Sequence, residues 1–471
     1  MTPCPRLVLA GAASGVGKTT TTVALARALR SRGLRVAAFK CGPDYLDPTY
    51  LARATGAPCH NLDGWMMGPR AVLATVARVC EQARADVALI EGMMGLFDGA
   101  TPTSDEGSTA ELARWLRAPV ALLVDASGLA RSLAALAQGY ARFDPDVQVA
   151  AVLANRIGGR GHLELLRAAL AEPPLAGGLP VRPELGFPER HLGLRTASDP
   201  DAIPDPLLER WGALAAEWLD VDSLLTIARS APPLPAVPGT DDGAEQIAAS
   251  ASARCRIGLA LDEAFHFYYE DNLRRLEALG AQLVRFSPVH DATLPDVDGL
   301  YFGGGYPEAS AGALAENGSL RETVRRFAAR GGPIYAECGG LMYLARGIRT
   351  LDGRLHEMVG LVPAQAVMSD RLAAIGYVGV ETQAPSLLGP AGLRFRGHEF
   401  RYSALEPAPA LEPVYRLAPR WGGAPRLEGY RCGRNGCVLA SYVHAHWASC
   451  PEAAAGFVAA CTEFARGQLR D

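Results

Sequence analysis

Short aliphatic runs alternate with longer mixed stretches through the first half of the chain. "RLVLAGA", "RVAAFKCGPD", "DVALIEGMMG", "PVALLVDASG" and "VQVAAVLANRIGG" each begin apolar and end in a polar or glycine-rich turn. Runs of this kind predict strands buried on both faces, as in a parallel sheet. Helix-like stretches lie between them, and the first, "TTVALARALRSRG", ends on Gly33 as a C-cap. Pro, Gly, Ala and acidic residues take over in "SAPPLPAVPGTDDGAEQIAASASAR", residues 230–254, with no sustained apolar period. That composition predicts an interdomain linker. A second α/β pattern follows in "RIGLALD", "AQLVRFSP", "GLYFGGG" and "PIYAECGG". The expected architecture is therefore α/β, with two parallel-sheet domains over residues 1–229 and 255–471.

Bulk properties narrow the function classes. A length of 471 residues suits two or three domains, and 49% hydrophobic with 20% charged residues is an ordinary globular composition. A net charge of −4 points to no nucleic-acid or membrane surface. No apolar run is long enough to cross a bilayer, and the N-terminal run reads as a first strand rather than a signal peptide. The ten cysteines are scattered, which predicts free thiols and a cytoplasmic setting. Cys432 and Cys437 in "CGRNGC" read as a turn, because no second pair lies near enough to complete a metal site.

Candidate chemistry gathers at the predicted strand ends, where ligands of open α/β sheets bind. "GAASGVGKTT" is a phosphate loop with one departure: Ala12 stands where the usual spacing has glycine, and Gly11 lies one residue earlier. Ser14, Gly15, Val16, Gly17, Lys18, Thr19 and Thr20 form the expected ATP-binding stretch. Its amides would cradle phosphate, Lys18 would neutralise it, and the Thr19 hydroxyl would hold Mg²⁺. Glu91 and Asp98 follow another strand, as do Lys40, Asp44 and Asp47 in "FKCGPDYLDPTY". Glu91 and Asp47 are candidate metal ligands; Lys40, Asp44 and Asp98 are candidate substrate residues. Asn155, at the end of a further strand, is a candidate to read the nucleotide base.

"IYAECGGLMYLARG" runs a strand into Cys338, then two glycines, then a helix. That is the cysteine analogue of a nucleophile elbow. His444 and His446 in "SYVHAHW" would face the same way on a strand, and "YFGGGYPE" offers Gly303 to Gly305 as oxyanion donors. Taken alone, these residues modestly favour a nucleophile and still admit an inert core thiol and core histidines.

The combination resembles a known family. "GGGYPE", "YAECGGLMYL" and "SYVHAHW" are similar to a class I glutamine amidotransferase domain of the cobalamin-pathway branch. The nucleotide half resembles dethiobiotin synthetase, whose loop also places a glycine where Gly11 stands. With "KCGPDYLDP", "NLDGWMM", "PERHLGL", "DEAFHFYYEDNL", "MSDRLAAIGY" and "RGHEFRYS", the chain resembles the a,c-diamide synthases of cobyrinic or hydrogenobyrinic acid along nearly its whole length. The resemblance implies that Cys338 attacks glutamine, His444 moves the proton, and Gly304 and Gly305 form the oxyanion hole. It implies that ATP with Mg²⁺ activates the a and c carboxylates of the corrin as acyl phosphates, which ammonia then attacks. Partners would be small molecules, with no nucleic acid or membrane, and a homodimer stays open. The older superfamily pattern is His-x-Glu, whereas this chain has His446 at the third position, and Glu337 has no assigned role. Leu51 and Arg401 replace histidines of many relatives and are expected to touch substrate recognition. Two alternatives remain: a related synthase for another tetrapyrrole, such as nickel-sirohydrochlorin, and a P-loop ATPase switch with a non-hydrolysing amidotransferase-like domain.

Overall fold

The computed structural model describes residues 4–185, 203–235, 254–406 and 411–468. Most of the predicted linker and the "PERHLGL" stretch lie outside the described residues. The chain divides into two compact units, Met1–Thr240 and Asp241–Asp471.

The first unit is built on a seven-stranded sheet, β1 (Arg6–Gly11), β2 (Val36–Cys41), β3 (Cys59–Leu62), β4 (Val87–Gly95), β5 (Val120–Asp125), β6 (Val149–Ile157) and β7 (Leu175–Pro180). The order is β3-β2-β4-β1-β5-β6-β7, and every neighbouring pair is parallel. Parallel pairing demands a crossover after each strand, and helices such as Lys18–Ser31 and Asp47–Thr55 supply it. All six residues of β1 and of β2 are buried, as their unbroken apolar runs require. From β1 the chain runs to β2 and β3 on one side, returns to place β4 between β2 and β1, and continues through β5, β6 and β7 on the other side. The carboxyl ends of β1, β4 and β2 therefore lie side by side. Register places Glu91 beside both Leu9 and Lys40 there.

The second unit holds a ten-stranded sheet from β8 (Cys255–Ala260), β9 (Ala281–Phe286), β10 (Gly299–Phe302), β11 (Ile334–Glu337), β15 (Ala374–Thr382), β16 (Arg394–Arg401), β18 (Glu412–Pro419), β19 (Arg426–Cys432), β20 (Val438–Ser441) and β21 (His444–His446). A separate four-stranded sheet contains β12 (Ala345–Arg349), β13 (Leu355–Glu357), β14 (Val362–Met368) and β17 (Ser403–Glu406). The large sheet runs β21-β16-β15-β18-β19-β20-β11-β10-β8-β9. It is parallel from β20 to β9 and antiparallel from β21 to β20. The parallel reading of the sequence thus describes half of this sheet. The other half alternates along its strands, and its outer face leaves Ile375 and Phe400 exposed. Period-two alternation also divides the core. Leu300, Phe302, Ile334 and Ala336 pack on one face, whereas Tyr301 and Tyr335 join Trp447 and Phe457 on the other.

Candidate active site

In the first unit the phosphate loop leads from β1 into helix Lys18–Ser31. Gly17 caps that helix at φ +94°, and a Cβ there would lie 2.2 Å from Asn155 Nδ2, so only glycine fits. Asn155 Nδ2 donates to the Val16 carbonyl at 2.8 Å. Arg156 donates to the Gly15 carbonyl at 3.0 Å while pairing with Asp125. The end of β6 therefore props the loop, a duty for Asn155 that its sequence context did not reveal. Lys18 Nζ donates to the Ala13 carbonyl at 3.1 Å and to the Met94 carbonyl at 2.6 Å. Burial, reinforced by Lys40, holds its pKa below the usual lysine value.

Behind the loop lies a buried charge cluster. Lys40 Nζ is 2.8 Å from Glu91 Oε1 and 2.7 Å from Asp47 Oδ2. Thr19 Oγ1 donates to Glu91 Oε1 at 2.8 Å. Burial raises the Glu91 pKa to about 7 despite the lysine. Glu91 Oε2 is buried without a hydrogen-bond partner among the described residues. It and the Thr19 hydroxyl are hard oxygen donors that suit Mg²⁺. No cluster of three or more His, Cys, Asp or Glu able to hold a metal occurs among the described residues. The Lys40 ammonium lies between Asp47 and Glu91, so these two carboxylates bracket a cation of the chain itself. Asp44 Oδ1 accepts the Leu46 and Asp47 amides at 2.8 and 3.0 Å, starting helix Asp47–Thr55. Asp98 Oδ2 accepts the Gly95 amide at 2.8 Å. The Leu51 side chain is fully buried in the core.

In the second unit Cys338 follows β11 and caps helix Gly339–Leu344 with φ 47° and ψ −102°. A non-glycine residue with positive φ is strained, and such strain concentrates at functional sites. The surroundings enforce it. The Cys338 amide donates to the Ser441 carbonyl at 2.7 Å, and the Gly340 amide to the Gly303 carbonyl at 3.0 Å. Burial raises the thiol to about 12, with Glu308 adding to the rise; the Gly339 amide and Arg401 oppose it. Burial alone lowers His444 to about 3. Burial thus favours the neutral form of each group, thiol and imidazole.

The glycine strip joins the two. A Cβ on Gly304 would lie 2.4 Å from His444 Cε1, and one on Gly339 would lie 3.1 Å from the Gly305 amide nitrogen. Gly305 has φ +155° and would drive a Cβ to 2.0 Å from the Ala264 carbonyl oxygen. The Gly303 amide donates to Tyr268 Oη at 2.8 Å. Segment 262–269 forms the wall of this site, with Phe267 bridged to Gly304.

His398 lies within "RGHEFRYS", whose sequence alone does not single it out. Antiparallel register sets it opposite His444, and the rings stack 4.9 Å apart at 17°. Its Nδ1 lies 3.0 Å from Tyr269 Oη. Arg401 lies with its guanidinium carbon 4.5 Å from the centre of the Tyr442 ring. His446 Nδ1 accepts the Ala448 amide at 3.3 Å, ending β21.

Comparison with known proteins accounts for both units. Residues 7–192 match the CobQ/CobB/MinD/ParA nucleotide binding domain, and residues 256–451 match the CobB/CobQ-like glutamine amidotransferase domain. The chain is 49% identical over 459 residues to cobyrinate a,c-diamide synthase of Leptospira interrogans, covering 97% of this chain and 98% of the relative. It is 50% identical over 473 residues to that of Syntrophotalea carbinolica, covering 99% of each. The synthase of Methanothermobacter thermautotrophicus is 40% identical over 464 residues, covering 98% of this chain and all of the relative. Similarity this high across both units places the chain in the cobyrinate a,c-diamide synthase family, whose members are glutamine-dependent ligases.

Proposed function

We propose that the protein converts the a and c side-chain carboxylates of cobyrinic or hydrogenobyrinic acid to amides, with ATP as activator and glutamine as nitrogen donor. The observation that supports this best is the meeting of the strained Cys338, the His444 ring and the Gly304–Gly305 strip. In the proposed cycle the Cys338 thiol proton passes to neutral His444 as sulfur attacks the glutamine amide carbon. Gly304 and Gly305 amides stabilise the resulting oxyanion. His444 returns the proton to the leaving nitrogen, ammonia departs, and water hydrolyses the glutamyl thioester to glutamate. A thiol raised by burial and an imidazole lowered by burial give little thiolate before glutamine binds, so proton transfer accompanies attack.

In the first unit the loop from Ser14 to Thr20 would bind ATP, with Lys18 exchanging its two carbonyl partners for phosphate oxygens. Thr19 and Glu91 would hold Mg²⁺, which when bound neutralises charge on the phosphates. Lys40, fixed by Asp47 and Glu91, would face the carboxylate to be activated. Transfer of the γ-phosphate to that carboxylate forms an acyl phosphate and ADP; ammonia then displaces phosphate to leave the amide. A carboxylate lacks a good leaving group, which is why one chain needs both activities. The cytoplasm, where ten unpaired cysteines stay reduced, is the proposed setting.

Ammonia rescue tests this division of labour. Cys338→Ser is expected to lose glutamine-dependent amidation yet regain it with added ammonia, whereas Lys18→Ala is expected to respond to neither. Glutamate release by Cys338→Ser equal to wild type would remove the nucleophile from the scheme.

A further inference from the structure

Glu337 stands immediately before Cys338 and is only 1% exposed. Strand alternation puts it on the face of Tyr335, whereas Cys338 packs with the opposite core. Its carboxylate accepts three hydrogen bonds. Oε1 takes Tyr335 Oη at 2.8 Å and the Ala445 amide at 3.1 Å, and Oε2 takes Tyr301 Oη at 3.1 Å. Burying an acid is unfavourable unless its partners compensate, and an apolar residue would suit this aromatic core better. The Ala445 amide gives the acid something to hold.

Ala445 lies between His444 and His446 on β21, a three-residue strand at the edge of the sheet that, among the described residues, pairs only with β16. Both backbone groups of Ala445 are met by side chains. Its amide binds Glu337, and its carbonyl accepts Asn272 Nδ2 at 2.8 Å, while Asn272 Oδ1 accepts the Trp447 amide at 2.9 Å. Edge strands this short have little ladder of their own to fix them. The Cys338 amide is bound in turn to Ser441, at the end of β20 and three residues before His444.

We propose that Glu337 is a positioning residue of the glutaminase, tying the strand that bears His444 to the strand that bears Cys338 through the Ala445 amide. It acts on the peptide beside the histidine rather than on the imidazole. This inference rests on the roles proposed above for Cys338 and His444.

The test compares Glu337→Ala and Glu337→Gln in the full chain, measuring glutaminase kcat and KM beside ammonia-dependent amidation. Misplacing a reacting group by about 1 Å costs about 100-fold in rate, so the alanine variant should lose about that much kcat with KM within about threefold. Glutamine keeps a carbonyl for the Ala445 amide, and that variant should recover to within about tenfold of wild type. Ammonia-dependent amidation should stay at the wild-type rate in both. An unchanged glutaminase kcat in Glu337→Ala, or a parallel fall in ammonia-dependent amidation, overturns the positioning role. A wild-type enzyme that hydrolyses no glutamine overturns the glutaminase reading itself, a separate result.

Discussion

Replacing Lys40 by methionine would leave two buried carboxylates facing the space of a lost cation. Lys40 is 3% exposed, Asp47 2% and Glu91 fully buried, with the ammonium 2.7 and 2.8 Å from the two acids. Removing one partner of a buried ion pair costs about 3–5 kcal/mol. For a unit the size of Met1–Thr240, each kcal/mol lowers Tm by about 2–4 °C, giving a drop of roughly 6–20 °C at pH 8. Protons can replace the missing charge. Glu91 already sits at about 7, raised by burial above the ordinary carboxylate value, and loss of Lys40 raises it further. A folded-state pKa above the unfolded one contributes stability at low pH that disappears as pH climbs through the folded value. The deficit of Lys40→Met should therefore shrink at pH 6 and widen at pH 8. Calorimetry of the full chain, following the transition that ATP with Mg²⁺ shifts, reads both numbers. A loss under about 1 kcal/mol, or one equal at the two pH values, would refute the reasoning that the cluster is held by mutual neutralisation.

Other predictions concern the second unit. Strain of about 1–3 kcal/mol at Cys338, against about 1 kcal/mol of extra chain entropy for glycine, implies that Cys338→Gly is more stable than Cys338→Ala by up to about 2 kcal/mol; denaturant unfolding measures the difference, with both variants inactive as glutaminases. Because the thiol is raised to about 12, iodoacetamide should label Cys338 very slowly at pH 7 without glutamine, and the rate should climb steadily to pH 10. A plateau near pH 8, read by peptide mass spectrometry, would show an ordinary exposed thiol.

Much of this was readable in the chain because the signals were local. A phosphate loop is a contiguous stretch after a strand, and the unbroken run "VALIEG" is buried along its whole length. The elbow at Cys338 was equally local. What stayed hidden depends on register between distant strands. His398 faces His444 only because β16 and β21 pair antiparallel, and nothing near "RGHEF" states that partner. Glu337 sits in the same quoted motif as Cys338, yet its ligands come from β10, β11 and β21. The edge strands β3 and β7 carry no such signal, because "CHNL" and "LAGGLP" lack a sustained aliphatic run. Lys40, Asp47 and Glu91 were each visible at strand ends, but their closure into one buried cluster needed the β2–β4 register.

The most direct measurement is the mass of the corrin product. Cobyrinic acid and hydrogenobyrinic acid, each incubated with the protein, ATP, Mg²⁺ and glutamine, should be tested for amide gain. The account predicts that at least one gains two amides at the a and c positions, with ammonia replacing glutamine in Cys338→Ser but not in Lys18→Ala. No amide on either acid, or amidation that proceeds without ATP, would contradict it.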